Sequence, residues 1–290
     1  MASLPRTLAT APVKMVVAVG NALRDPLAPV RAVRDVWNAP EDQPEDFKEM
    51  TLGEHLGELQ QRLIKTCLVL VPAFLIGFLL AGPLLQYMAE QSKTEGGFQV
   101  LNPTGSFTIF MKVALYIAIC IAFPMIFYQL FAFIAPGMTR KEKRYVLSSL
   151  PFVTFLFLAG ASFAFFIAAP KAFDFLSGFQ ADAFKWDLVA DEVISFYMTL
   201  MIGMGIAFEL PALMFMLAKL KIVNAKKQRG FWRIACILIM VAAAIITPTP
   251  DPFNMLIVAS PLFILYGFGL IMAGRAERGH EPKEEDALAA

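Results

Sequence analysis

The costliest residue in this sequence is Glu209, in Phe208-Glu209-Leu210-Pro211. It interrupts a long apolar run. A charge at the centre of a bilayer is disfavoured by roughly 2.5–3.5 kcal/mol on insertion scales, so such a residue ordinarily serves a function. Pro211 lacks the N–H that would continue a helical ladder and frees the carbonyl of Ala207. The site therefore reads as polar and kinked, facing a cavity or a partner. The alternative is a protonated structural glutamate bonded to a neighbour. Gln129, an amide in another apolar run, is its natural polar companion, because buried amides join helices in membranes.

Two other carboxylates, Glu58 and Glu142, flank apolar runs where a chain meets the membrane surface. A guanidinium ligand prefers a carboxylate, since the pair is charge-assisted and can be bidentate. Two carboxylates can take two arginines. Each also has an internal alternative: Glu58 with Arg62 at helical i,i+4 spacing, and Glu142 with Arg140, Lys141, Lys143 and Arg144 around it. Surface pairs of this kind contribute roughly 0–1 kcal/mol, so an arriving ligand displaces them easily.

Other chemistries have little to draw on. His55 and His280 are the only histidines, and Cys67, Cys120 and Cys236 stand far apart in apolar runs without metal-ligand spacing. They read as small buried hydrophobes. No metal site, cofactor or catalytic group is expected. There is no G-x-x-x-x-G-K-[ST] phosphate loop for ATP hydrolysis. The formal net charge of +1 gives no field for nucleic acid.

The elements that must position these groups are membrane helices. Of 290 residues, 58% are hydrophobic and 17% charged, with a mean hydropathy of +0.61. A soluble domain is less apolar and more charged, and here the excess falls in long blocks. Residues 1–50 form an N-terminal extension, disordered or interfacial. Thr51-Leu52-Gly53-Glu54 is a capping-box pattern opening a helix, and Leu52, Leu56, Leu59 and Leu63 share one face. Six spans follow, at about 64–81, 107–134, 147–169, 193–218, 231–247 and 253–273. Gly82-Pro83, Ala135-Pro136-Gly137 and Pro170 read as their stops. Residues 83–106 and 171–192 then read as loops, and the last two spans as short. Residues 274–290 form a polar tail.

The fold class is thus an all-α integral membrane protein with six transmembrane helices. Arg140, Lys141, Lys143 and Arg144, then Lys219, Lys221, Lys226, Lys227, Arg229 and Arg233, then Arg275 and Arg278 share one side; the other holds mainly Lys93, Lys171 and Lys185. The positive-inside rule makes the first side, and both termini, cytoplasmic.

The stretch Phe123, Pro124, Tyr128, Gln129, Phe133, Pro136, Gly137 and Glu142 resembles a long and specific pattern of the TatC family, the multispanning subunit of the twin-arginine protein translocase. His55, Leu56, Glu58 and Leu59 resemble its H-L-x-E-L motif. Phe208, Glu209 and Pro211 match F-E-x-P, and Thr247, Pro248, Pro250 and Asp251 match its T-P…P-D turn. The resemblance covers about residues 51–273. Gln60, Met255 and Gly267 stand where the family often has arginine, glutamine and glutamate.

This resemblance implies a signal-peptide receptor and core subunit that exports folded proteins across the cytoplasmic membrane, using the proton-motive force. Glu58 and Glu142 would recognise the paired arginines of the signal peptide, with Phe133 shaping the site. Glu209 and Gln129 would contact partner helices or the inserted signal. Asp251 would serve the outer turn. TatA and TatB-like single-span subunits would be partners, and the chain would self-associate within a larger complex. The alternative by composition is a proton- or ion-coupled solute transporter using Glu209 with Lys112, though internal repeats and paired broken helices are missing from the sequence. An intramembrane enzyme ranks last, because no span carries a histidine or an aspartate.

Overall fold

In the computed structural model, residue 34 and residues 51–91, 98–179, 188–247 and 251–278 are described. Every regular element among them is helical, apart from one isolated β-bridge, Gln99 with Val189. In order they are α1 (Leu52–Gln91), α2 (Gly105–Ile134), α3 (Arg140–Phe163), α4 (Ala169–Gly178), α5 (Ala190–Ala207), α6 (Leu210–Lys219), α7 (Ala225–Gly230), α8 (Trp232–Ile246) and α9 (Pro252–Arg278). Five stretches are long and apolar enough to cross a membrane: Gly53–Gln91, Gly105–Gly137, Arg140–Gly178, Ala190–Lys219 and Pro252–Glu277. The sixth apolar helix, α8, has 15 residues. At 1.5 Å per residue it rises only about 22 Å, short of a roughly 30 Å hydrocarbon core. The last helix, expected to be short as well, has 27 residues.

The chain divides into two compact units, one formed by Met1–Leu79 with Ala114–Leu150 and the other by Leu80–Val113 with Pro151–Ala290. The first unit opens on the expected capping box. Thr51 N–H donates to Glu54 Oε2 at 2.9 Å, and Glu54 N–H reaches back to Thr51 Oγ1 at 3.4 Å. Its core is built from small residues. Ala73, Ala118 and Ala122 are buried between α1 and α2, with Val69, Leu70, Phe74 and Ile126 around them. At Gly77 a β-carbon would drive into the Ala114 carbonyl, so only glycine allows this approach. Pro136 and Gly137 stop α2 as expected: Ala135–Gly137 is a single 3₁₀ turn, and Met138 beyond it is extended.

Two expected stops are not stops. The first helix continues through Gly82-Pro83 to Gln91. The third continues through Pro170: Ala164–Ala168 form a π turn, with Ala169 N–H donating to the Ala164 carbonyl, and Pro170 then sits in the first turn of α4. In this unbroken helix Pro170 has no amide to give to the turn before it, and the π turn takes up the missing bond. Pro124, Pro151 and Pro261 also lie inside helices. Membrane helices tolerate such breaks because neighbouring groups and local 3₁₀ or π adjustments satisfy the freed carbonyls. The expected loops are correspondingly smaller, and residues 180–187 of the second lie outside the described residues.

The second unit has a larger-residue core, with Phe157, Ile194, Tyr197, Met198, Leu200 and Met204 fully buried. Where α3 meets α5, a β-carbon at Gly205 would strike the Phe157 ring, and one at Gly160 would strike the Met204 carbonyl and the Phe208 ring. Ala218, Ala225, Ala273 and Ala276 form a small cluster joining α6, α7 and α9, with Phe215 against it.

Candidate functional site

Helix α1 places His55, Glu58 and Arg62 within two turns, and α2 places Gln129 and Phe133 one turn apart. Within the first unit these residues meet. Arg62 Nη2 donates to Glu58 Oε1 at 2.9 Å, and Arg62 Nη1 to Gln129 Oε1 at 3.4 Å. One turn away, the His55 ring stacks on Phe133 with centroids 4.3 Å apart and planes 18° from parallel. Gln129 is buried, at 3% exposure. Glu58 is half-buried, and its second oxygen, Oε2, has no hydrogen-bond partner among the described residues. The site thus already holds one guanidinium on one carboxylate oxygen and leaves the other oxygen unused.

Glu142 lies in the first turn of α3. Thr139 N–H donates to Glu142 Oε2 at 2.7 Å, and Glu142 N–H approaches Thr139 Oγ1 at 3.3 Å. This is a second capping box, Thr139-Arg140-Lys141-Glu142, of the same form as the one at Thr51. The carboxylate is fixed at a helix N-terminus, where the backbone amides favour negative charge.

Glu209 belongs to the second unit. The sequence expectation of a kink is met by a break: α5 ends at Ala207, Glu209 N–H bonds the Ile206 carbonyl at 3.1 Å, and α6 starts at Leu210 with Pro211 in its first turn. Both carboxyl oxygens of Glu209 are buried without a side-chain partner. The backbone of Phe157 is a polar neighbour, and Phe208 beside it rests on Phe163 with ring centroids 5.9 Å apart. Gln129, the amide expected to accompany Glu209, belongs to the first unit and accepts from Arg62 there. Lys112 bonds Asp191 Oδ1 at 2.5 Å. The cation that coupled transport would assign to Glu209 is therefore already taken. Asp251 caps α9: its Oδ1 accepts from Asn254 N–H at 2.7 Å and its Oδ2 from Asn254 Nδ2 at 2.9 Å.

Sequence reasoning missed three participants. Arg62 was visible only as a surface pair with Glu58; its reach to Gln129 is tertiary. The stack of His55 on Phe133 has no sequence signal. Thr139 did have one, the T-x-x-E spacing, which the surrounding cations masked.

The described chain is a multispanning helical membrane protein with carboxylates held at helix termini and breaks. Residues 54–261 match the family model described as Sec-independent protein translocase protein (TatC). Among curated relatives, the TatC of Helicobacter pylori strain J99 is 33% identical over 235 residues, covering 81% of this chain and 93% of that protein. The TatCy of Bacillus subtilis strain 168 is 34% identical over 232 residues, covering 79% and 91%. A crystal structure described as the twin arginine translocase receptor TatC aligns with a TM-score of 0.64 at 32% identity, covering 77% of this chain and 99% of that one. The chain belongs to the TatC family of the Sec-independent protein translocase.

Proposed function

We propose that this protein is the signal-peptide receptor and core subunit of a twin-arginine translocase in the cytoplasmic membrane, with both termini on the cytoplasmic side. Glu58 and Glu142 bind the paired arginines of the signal peptide, and Phe133, braced by His55, shapes the site between them. Glu209 and Gln129 face partner helices or the inserted signal, and Asp251 holds the outer turn. TatA and TatB-like single-span subunits and further copies of this chain complete the machine. It passes folded cargo and draws on the proton-motive force.

The observation that carries this reading is the state of Glu58. Its Oε1 holds the Arg62 guanidinium while the buried Oε2 has no partner among the described residues. A carboxylate that already binds one guanidinium is chemically suited to bind another, either at the unused oxygen or by displacing Arg62. The test is export of a folded fluorescent reporter behind an Arg-Arg signal in cells whose only copy is Glu58→Gln or Glu142→Gln. The reading requires export to fall at least tenfold with membrane levels of the protein unchanged. Normal export in both variants contradicts it.

A further inference from the structure

From the last residue of α6 into the first turn of α8 the chain carries Lys219, Lys221, Lys226, Lys227, Arg229 and Arg233 and no carboxylate. This connection is rigidly built. Gln228 is buried, and its Nε2 donates to the carbonyls of Met214 and Val223, both at 3.0 Å. Tyr266 of α9 donates its hydroxyl to the Gln228 carbonyl at 2.8 Å. Glu277, the carboxylate that reaches this connection from α9, accepts the Ala225 amide at 2.5 Å, which occupies one of its oxygens in capping α7. Lys226, Lys227, Arg229 and Arg233 are exposed, and among the described residues none of them is in an ion pair.

The same surface is apolar as well as cationic. Ile222, Phe231 and Trp232 are exposed at 64%, 47% and 53%, and the Arg233 guanidinium lies 5.5 Å from the centre of the Trp232 ring. An aromatic with one apolar and one wet end is at home at a membrane interface. From Trp232 the exposed face continues along α8 through Ile234, Ile237 and Leu238. Cations at one end and an apolar strip running from it match a ligand with an anionic head and hydrocarbon tails. A soluble acidic protein would leave the strip uncovered, and a zwitterionic lipid would leave the net charge unbalanced. Clustered lysines and arginines beside a membrane helix are suited to anionic headgroups.

We propose that the α6–α8 connection binds the phosphate headgroup of an anionic phospholipid, with the acyl chains lying along the outward face of α8. The test is native mass spectrometry of the full chain in detergent, titrated with dioleoylphosphatidylglycerol or dioleoylphosphatidylcholine. Phosphatidylglycerol should be retained in preference. With two cations each contributing about 1 kcal/mol, Arg229→Gln/Arg233→Gln should weaken its binding about thirtyfold, and Lys226→Gln/Lys227→Gln comparably. Arg229→Lys/Arg233→Lys should restore most of it, and an unchanged melting temperature verifies the fold of each variant. Lys141→Gln/Lys143→Gln, which removes equal charge from another loop, should leave binding as it was. Equal retention of the two lipids, or an equal loss in that control, overturns the proposal in favour of diffuse attraction. Glycerol phosphate competing at the same concentration as the lipid overturns it in favour of a free-phosphate site.

Discussion

Glu142 is a helix cap as well as a carboxylate, and the two roles separate by substitution. Glu142→Ala removes both and should lower stability by about 0.5–2 kcal/mol through loss of the capping box. Glu142→Gln keeps an acceptor at the same helix position, so its melting temperature in detergent should match that of the parent within a degree or two. If the negative charge recognises the signal peptide, export fails in the glutamine variant despite that intact fold. Arg62 offers a second residue-scale case. Arg62→Leu strands the half-buried Glu58 and the buried Gln129 Oε1, and should cost about 1–3 kcal/mol. Adding Glu58→Leu should recover part of that loss, because an unpaired buried charge is worse than an apolar pair. A double-mutant cycle by thermal unfolding measures the coupling.

At the scale of elements, close helix approach rests on glycine. Gly77→Val would force a side chain into the Ala114 carbonyl and should destabilise by about 1–3 kcal/mol through overpacking. Gly57→Ala on the same helix meets nothing within 4 Å and should be neutral or slightly stabilising. Thermal unfolding of the two variants side by side checks the difference. Most helices were legible in the sequence because apolar runs of 20 or more residues admit few other structures. So were the stop at Pro136-Gly137 and the Thr51 capping box, both set by local chemistry. Pro83 and Pro170 misled because proline terminates helices reliably in water, where a freed backbone has alternatives. In an apolar surrounding the chain keeps its helix and absorbs the lost bond, at Pro170 through a π turn. The partner of Gln129 was not legible, because which amide meets which guanidinium depends on how α1 and α2 face each other.

For the whole molecule, the proposed topology puts the Arg140–Arg144 and Lys219–Arg233 segments on the cytoplasmic side, in keeping with the charge asymmetry of the loops. In a background lacking the native cysteines, a cysteine at Lys227 should resist an impermeant maleimide added to intact cells, and one at Val100 should react. The reverse pattern would invert the topology and remove Glu58 and Glu142 from the side where signal peptides arrive. The family and the apolar architecture were legible in the sequence, through its motifs and its long apolar runs, and Glu58 and Glu142 stood out there as candidates because they flank those runs. What the structure added is the occupied state of the site: Glu58 holds Arg62, and Glu142 caps a helix.

An arginine pair that binds here must displace Arg62 or take the unused oxygen of Glu58. The most direct measurement is binding of a labelled signal peptide carrying Arg-Arg, and of its Lys-Lys variant, to the purified protein, repeated with Glu58→Gln and Glu142→Gln. Arg-Arg should bind at least tenfold more tightly, since lysine cannot form the bidentate pair, with the preference lost in either variant. Equal binding of the two peptides, unchanged by both substitutions, would show that these carboxylates serve only the fold.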